Sequence, residues 1–373
     1  MQDARAYLTD SQSNVSTALV DTVDVLQAHL RIGGGPKAHS DTLLGRFSME
    51  LGSGRLVAQE AYRDVTRTFT GVSSRWNPGA RHQLRGFFTF PVLTLPDDRE
   101  SLLANDAGFD REYVNQRFWG LWYERSALWR GVRAESYVYG LAEHDEPGRR
   151  ETRDRHLWTG GGRLFRGGGI RAWDVDLEAA WQAGRAHATA SPSDRASLDV
   201  NARYVHVGAG YTFGLPWSIR GGVEYDHGTG DSNAADGRWN RFDSLFGNRR
   251  VDLAPTSIYG ALGRENIETL GVRLGVAPSS RIDAFGVFRW AGLASATDAF
   301  ASTSVRDSSG QSGRNAGRQL DVRLRFWILP AALRLEAGST FLWRGRFLRD
   351  APNATRQGDT GFFYTDLTYT LTP

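Results

Sequence analysis

The sequence predicts an all-β chain closed into a transmembrane antiparallel barrel. Three observations predict it: strand-length segments with one oily and one charged face, a regular alternation of short and long connections, and aromatic residues gathered near strand ends. The clearest segment is Arg318 to Arg344. Its first arm sets Leu320, Val322, Leu324, Phe326 and Ile328 on one parity against Gln319, Asp321, Arg323 and Arg325 on the other. After Pro330, the residues Leu333, Leu335, Ala337, Phe341 and Trp343 continue the apolar parity against Arg334, Glu336 and Thr340. Each arm has about the ten residues that a tilted strand needs to cross a bilayer.

Composition limits the alternatives. The 373 residues include 43 Gly, 12 Trp, 12 Tyr and 19 Phe, yet only 40% are hydrophobic, and no apolar run approaches the roughly 20 residues of a helical span. With no Cys there are no disulfides, thiolate metal sites or cysteine nucleophiles. All 45 basic residues except Lys37 are Arg, but the net charge is only +3, so no nucleic-acid partner is expected.

Met1 leads directly into Gln2-Asp3-Ala4-Arg5-Ala6-Tyr7-Leu8, with no export signal in view. Ala4 to Leu8 reads as the tail of a strand whose beginning is absent, so the strand count is expected to be a minimum. Leu26, Ala28 and Leu30, then Leu43, Gly45, Phe47 and Met49, mark two further strands. Others read near 70–77, 81–92, 115–125, 130–141, 153–166, 170–183, 199–213, 216–227, 265–277, 280–294 and 361–371. With the hairpin, the total is about sixteen in a single domain spanning 1–373.

Pro278-Ser279-Ser280, Gly214-Leu215-Pro216 and Leu329-Pro330 are short turns, whereas 93–114, 142–152, 184–197, 228–255, 295–315 and 344–360 are long and polar. That sorting is the outer-membrane barrel arrangement. Trp119, Trp122, Trp158, Trp173, Trp181, Trp217, Trp290, Trp327 and Trp343 suit interfacial girdles. The parity of charge then predicts the lumen. An Arg on the lipid face near the midplane would cost roughly 2–4 kcal/mol, which turns Arg31, Arg46, Arg85, Arg220, Arg273, Arg323, Arg325 and Arg334 inward. Asp174, Asp176, Glu178, Glu224, Glu336 and Asp366 join them.

Gly45-Arg46-Phe47, Gly54-Arg55-Leu56-Val57 and the run from Glu60 to Val72 resemble the early segment of the alginate export family of outer-membrane porins. Asp243-Ser244-Leu245-Phe246-Gly247-Asn248-Arg249-Arg250, Ala254 to Gly260 and Asn266 to Leu274 resemble that family's long loop and following strand. The resemblance implies a monomeric eighteen-stranded barrel, hence about two strands beyond those counted, in the bacterial outer membrane. It implies an arginine-rich, anion-selective lumen that passes an anionic polysaccharide such as a uronate polymer, with periplasmic export components as further partners. Arg46, Arg334 and Asp366 fall where it implies charged residues of the constriction. Tyr62-Arg63-Asp64, in a charged connection without alternation, is expected to turn inward and occlude the pore, as is the loop 228–255. The other reading of the same lumen is a diffusion porin that takes up small organic anions or oligosaccharides.

Chemistry finds little support. No Gly-x-Ser-x-Gly elbow occurs, and His29, His39, His82, His144, His156, His187, His206 and His227 show no close metal-ligand spacing. No enzymatic activity, cofactor or metal is expected. Asp231-Ser232-Asn233 with Asp236-Gly237 lacks the closing Glu of a calcium loop and reads as solvated; Gly160-Gly161-Gly162 and Gly167-Gly168-Gly169 read as turn glycines.

Overall fold

The computed structural model describes the chain apart from residues 11–14, 35–38, 61–63, 147–149, 255–260, 302, 356–357 and 372–373. Two short strands, β1 (Gln2–Ala4) and β2 (Asp21–Asp24), pair with each other outside the wall. The wall begins with β3 (Ala28–Gly33), β4 (Ser40–Phe47), β5 (Phe69–Gly79) and β6 (His82–Leu93). After helix α1 (Arg99–Ala104) and the short β7 (Arg111–Glu112) come β8 (Gln116–Trp129), β9 (Val132–Glu143), β10 (His156–Arg166), β11 (Ala172–Ala186), β12 (Leu198–Thr212) and β13 (Arg220–Gly228). Then follow the short β14 (Arg238–Trp239), β15 (Ile267–Ser279), β16 (Ile282–Gly292), β17 (Asn315–Leu329), β18 (Leu333–Arg344), helix α2 (Arg346–Asp350) and β19 (Thr360–Tyr369).

Fifteen long strands, β3–β6, β8–β13 and β15–β19, therefore build the barrel wall, each antiparallel to the next along the chain, while β19 and β3 at the seam run in the same direction. The expected sixteenth, at Ala4 to Leu8, is replaced by the β1–β2 pair. Sequence neighbours are laddered around the wall, for example Leu324 opposite Ala337 and Arg163 opposite Glu178. β19 and β3 are the neighbours that complete the circuit; among the described residues no register joins them, and both are largely exposed.

Connections sort by end. Those at 80–81, 130–131, 167–171, 213–219, 280–281 and 330–332 lie at one rim, and 48–68, 94–115, 144–155, 187–197, 229–266, 293–314 and 345–359 at the other. Short turns face the periplasm in bacterial barrels, which orients the molecule. The outward band carries Leu44, Val72, Leu121, Val138, Val223, Leu270, Val272, Val322, Leu324 and Leu367, all exposed as lipid contact requires. Trp119, Trp158, Trp290 and Trp343 lie at the outer end, and Trp173 and Trp217 at the periplasmic end. Trp122 departs from the expected girdle: its even parity in β8 is the inward one, and it is buried inside the barrel. Trp327 likewise has the inward parity of Arg325, and Arg334 lies over its ring at 5.8 Å.

The Gly160–Gly162 run sits within β10, not at a turn. A Cβ at Gly161 would come within 2.6 Å of both the Tyr137 ring and Ala179 O, so the missing side chain admits the tyrosine that stacks on Tyr139 at 4.9 Å.

Candidate functional site, an arginine-lined lumen

The lumen divides into a packed outer half and a charged periplasmic half. In the outer half, the described residues of the connections 48–68 and 229–266 fold inward and meet. Ala58 N–H donates to Phe246 O at 3.0 Å, Phe246 N–H to Leu56 O at 3.0 Å, and Asn248 N–H to Gly54 O at 2.9 Å. Leu51, Leu56, Val57 and Phe242 pack with wall residues Phe69, Phe87, Phe118, Tyr139 and Tyr204 into an apolar core inside the barrel, with Phe246 against it. Phe246 meets Phe118 edge-on at 4.7 Å and Phe69 at 5.3 Å.

Below this core the two connections are locked by charge. Arg55, 2% exposed, donates to Asp252 at 2.7 and 3.0 Å, to Glu178 at 2.7 Å and to Asp176 at 3.0 Å. Arg264, also buried, donates to Asp252 at 2.9 Å and to Asn248 O at 2.9 Å. Arg289 donates to Asp252 O at 2.6 Å, and Arg250 reaches Glu336 on β18. Burial opposes the ionisation of Asp252, but Arg55, His206 and Arg264 outweigh it and hold its carboxyl well below the usual range. At the outer edge Arg155 pairs with Glu143 and Asp243, and the Asp243 backbone exchanges hydrogen bonds with Gln182 at 2.7 and 2.8 Å. Asp231 is buried beside Asp298 rather than solvated, because 229–266 packs under 293–314. Outward of these, Phe300 and Phe347 join Leu253 and Leu262 in a second apolar cluster.

In the periplasmic half pairs of arginines share single carboxylates. Asp41 is shared by Arg31 at 2.6 Å and Arg75 at 3.2 Å, and Asp283 by Arg323 and Arg325 at 3.3 Å each. Glu224 is shared by Arg273 and Arg289. Among the described residues Arg85 and Arg334 have no ion pair; Arg334 donates to Thr368 at 3.1 Å. Arg220 pairs with Asp174, and with Arg163 and Asp176 they line a cavity of about 570 Å³ opening at the short turns. Arg273 and Arg323 flank the Phe285 ring at 4.4 and 4.3 Å, a cationic and aromatic surface facing the vestibule.

The structure does not bring Arg46, Arg334 and Asp366 into one ring. Arg334 and Asp366 lie on the adjoining β18 and β19 in the periplasmic half, with Glu336 opposite Asp366 and bonded to Tyr364 at 2.6 Å. Arg46 does not face the lumen as expected: it shares the outward parity of the exposed Leu44, whereas Leu43 and Phe47 of the other parity enter the inner core, and near the outer end it is held by Asp24 at 3.0 Å, Glu112 at 3.1 Å and Asp110 O at 3.1 Å. Tyr62, Arg63 and the segment 255–260 lie outside the described residues, and Asp64 is exposed. Arg55, Asp252 and Arg264 are site residues that the sequence pattern does not single out. Their signal was present only as charge within non-alternating segments, at Gly54-Arg55-Leu56-Val57 and next to Arg249-Arg250.

No curated protein matches the chain. Among solved structures, it is similar to the outer membrane protein OpdK from Pseudomonas aeruginosa, at TM-score 0.54 and 12% identity over 89% of this chain and 77% of that one. OpdK from Pseudomonas aeruginosa with vanillate matches at TM-score 0.51 and 12% identity, over 88% and 76%. OccAB1 from Acinetobacter baumannii matches at TM-score 0.53 and 10% identity, over 89% and 75%. At these identities the likeness speaks for the fold, that of an outer-membrane β-barrel porin. The family model described as alginate export matches residues 1–362, and the chain belongs to that family, as a porin of the bacterial outer membrane.

Proposed function

We propose that this porin conducts an anionic polysaccharide, of the uronate class, from the periplasm outward, with the arginine vestibule as its entry and the 48–68 and 229–266 segments as its gate. The observation that carries the reading is the sharing of one carboxylate by two arginines at Asp41 and at Asp283, with Arg85 and Arg334 besides. Such a surface holds net positive potential toward the periplasm, and planar guanidinium groups suit repeated bidentate contact with carboxylates. Several weak sites let a polymer bind and still move on. A packed gate above the vestibule suits a pore that opens for a polymer and otherwise keeps small molecules out. As an outer-membrane conduit it acts without chemistry of its own, as a monomer supplied by periplasmic export components.

The second reading is uptake of small organic anions. Its support is the solved OpdK structure with vanillate, whose fold this chain resembles. Planar-bilayer recordings with polymannuronate and polyguluronate on the periplasmic side separate the two. Export predicts low resting conductance and polymer block of an opened pore; a wide, steadily open channel that uronate polymers never block would refute export in favour of uptake.

A further inference from the structure

The connection 144–155 joins β9 to β10 at the outer rim. β9 and β10 pair with Ala142 opposite His156, and Glu143 N–H donates to Arg155 O at 2.9 Å, so the residues just past each strand end are neighbours. Arg155 turns inward to Glu143 and Asp243, which leaves Asp154 and His156 on the other side of the same segment, with His144 beside them. Asp154 adopts a left-handed backbone, φ 43°, a conformation Asp tolerates better than most residues.

His144 Nδ1 and His156 Nε2 each lie 3.4 Å from one and the same atom, Oδ1 of Asp154. The two imidazole centroids are 5.0 Å apart, and the three donor atoms lie within 4.8 Å of one another. Asp154 Oδ1 is itself buried, yet no described group donates a hydrogen bond to it. A histidine using that oxygen as an ordinary acceptor would approach to about 2.7–3.2 Å with its N–H aligned. Separations of 3.4 Å instead match the edge of a tetrahedron, about 3.3–3.4 Å, around an ion with bonds of about 2.0–2.1 Å.

We propose that His144, Asp154 and His156 form a site for a divalent transition metal of the zinc class on the outer rim, with the fourth position open to solvent. Two imidazoles and one carboxylate select such an ion over calcium or magnesium, which take oxygen donors. The metal clamps the segment that carries Arg153, stacked over Trp239 at 4.1 Å, and Arg155, paired with Asp243. Both grip the 229–266 segment, so the site ties the rim to the gate from outside.

The test uses the full chain folded in detergent micelles without a polyhistidine tag, titrated with Zn²⁺ by calorimetry. The expected result is about one Zn²⁺ per chain, weakened about tenfold or more in H144A/H156A and in D154N, and unchanged in H29A/H39A. Absence of saturable uptake below about 100 µM, or a double variant that binds as well as wild type, overturns the proposal. If the double variant does not fold, diethyl pyrocarbonate labelling of the wild type decides instead. Zn²⁺ should then protect His144 and His156 several-fold while leaving His29 and His39 unprotected, and equal labelling with and without Zn²⁺ overturns it.

Discussion

At the scale of single residues, Arg55 is the group on which the gate depends. Its guanidinium bridges Asp252, Glu178 and Asp176, so Arg55→Ala would take from the buried Glu178 its ion partner among the described residues and leave Asp252 to Arg264 alone, at a cost of about 3–5 kcal/mol to the docked arrangement. We expect R55A barrels to show frequent openings and higher mean conductance in single-channel recordings; a trace as quiet as wild type would mean that the apolar core alone keeps the gate shut. Asp110 supplies a pH dependence at the β1–β2 pair. Burial, and after it the neighbouring Asp21 and Asp24 carboxylates, push its pKa up to about 7, against the hydrogen bond from Leu95 N–H and the charge of Arg46. A carboxyl raised in the folded state binds more protons there than when undocked, so docking is strongest at low pH, weakens as pH rises from the ordinary carboxyl range to about 7, and levels off above it. Protection factors across β1 and β2, that is exchange corrected for its intrinsic base catalysis, should therefore fall between pH 5.5 and 8 in the wild type and change far less in Asp110→Asn. Equal pH response in the two proteins would assign the effect elsewhere.

At the scale of elements, β17 shows how one period serves two solvents. Val322 and Leu324 are 41% and 49% exposed on the lipid side, while Gln319 and Asp321 of the other parity are buried within the barrel. Spin labels at 322 and 324 should respond to oxygen dissolved in the bilayer, and labels at 323 and 325 to water-soluble relaxers. The reverse pattern would invert the strand and the barrel reading with it. β10 carries a different requirement. Gly161→Ala would drive a methyl against the Tyr137 ring and the Ala179 carbonyl, and because a carbonyl in a ladder cannot step aside, we expect a loss of about 1–3 kcal/mol in urea unfolding. An unchanged midpoint would show that the wall flexes there.

At the scale of the whole molecule, the arginine pairs of the periplasmic half, with Arg85 and Arg334, should appear as anion preference. Reversal potentials in a salt gradient should be anionic in the wild type with the gate removed, and should fall toward zero in R85E/R334E. Raising ionic strength to about 1 M should weaken polymer block, since screening then acts over about 3 Å. Deleting 229–266 should raise conductance severalfold, because Phe242, Phe246 and Asp252 leave with it. Conductance equal to wild type would place the barrier elsewhere in the lumen.

What the sequence by itself determined is the wall. Alternation at Leu320 to Ile328 and its charged counterpart dictates which side of β17 meets lipid, because a period of two admits only two registers and one is costly in a bilayer. The sorting of short and long connections likewise fixed orientation. The outer gate was legible only as a suspicion, since 48–68 and 229–266 have no period, and a charged loop reads the same whether it meets water or an ion partner. Tertiary structure alone decided that Arg55 meets Asp252 across 197 positions and that Trp122 faces inward among buried side chains. It also decided that His144 and His156 share one oxygen of Asp154. Such contacts depend on where the closing of the barrel carries distant strands and loops, and curvature of that kind leaves no mark in local residue spacing.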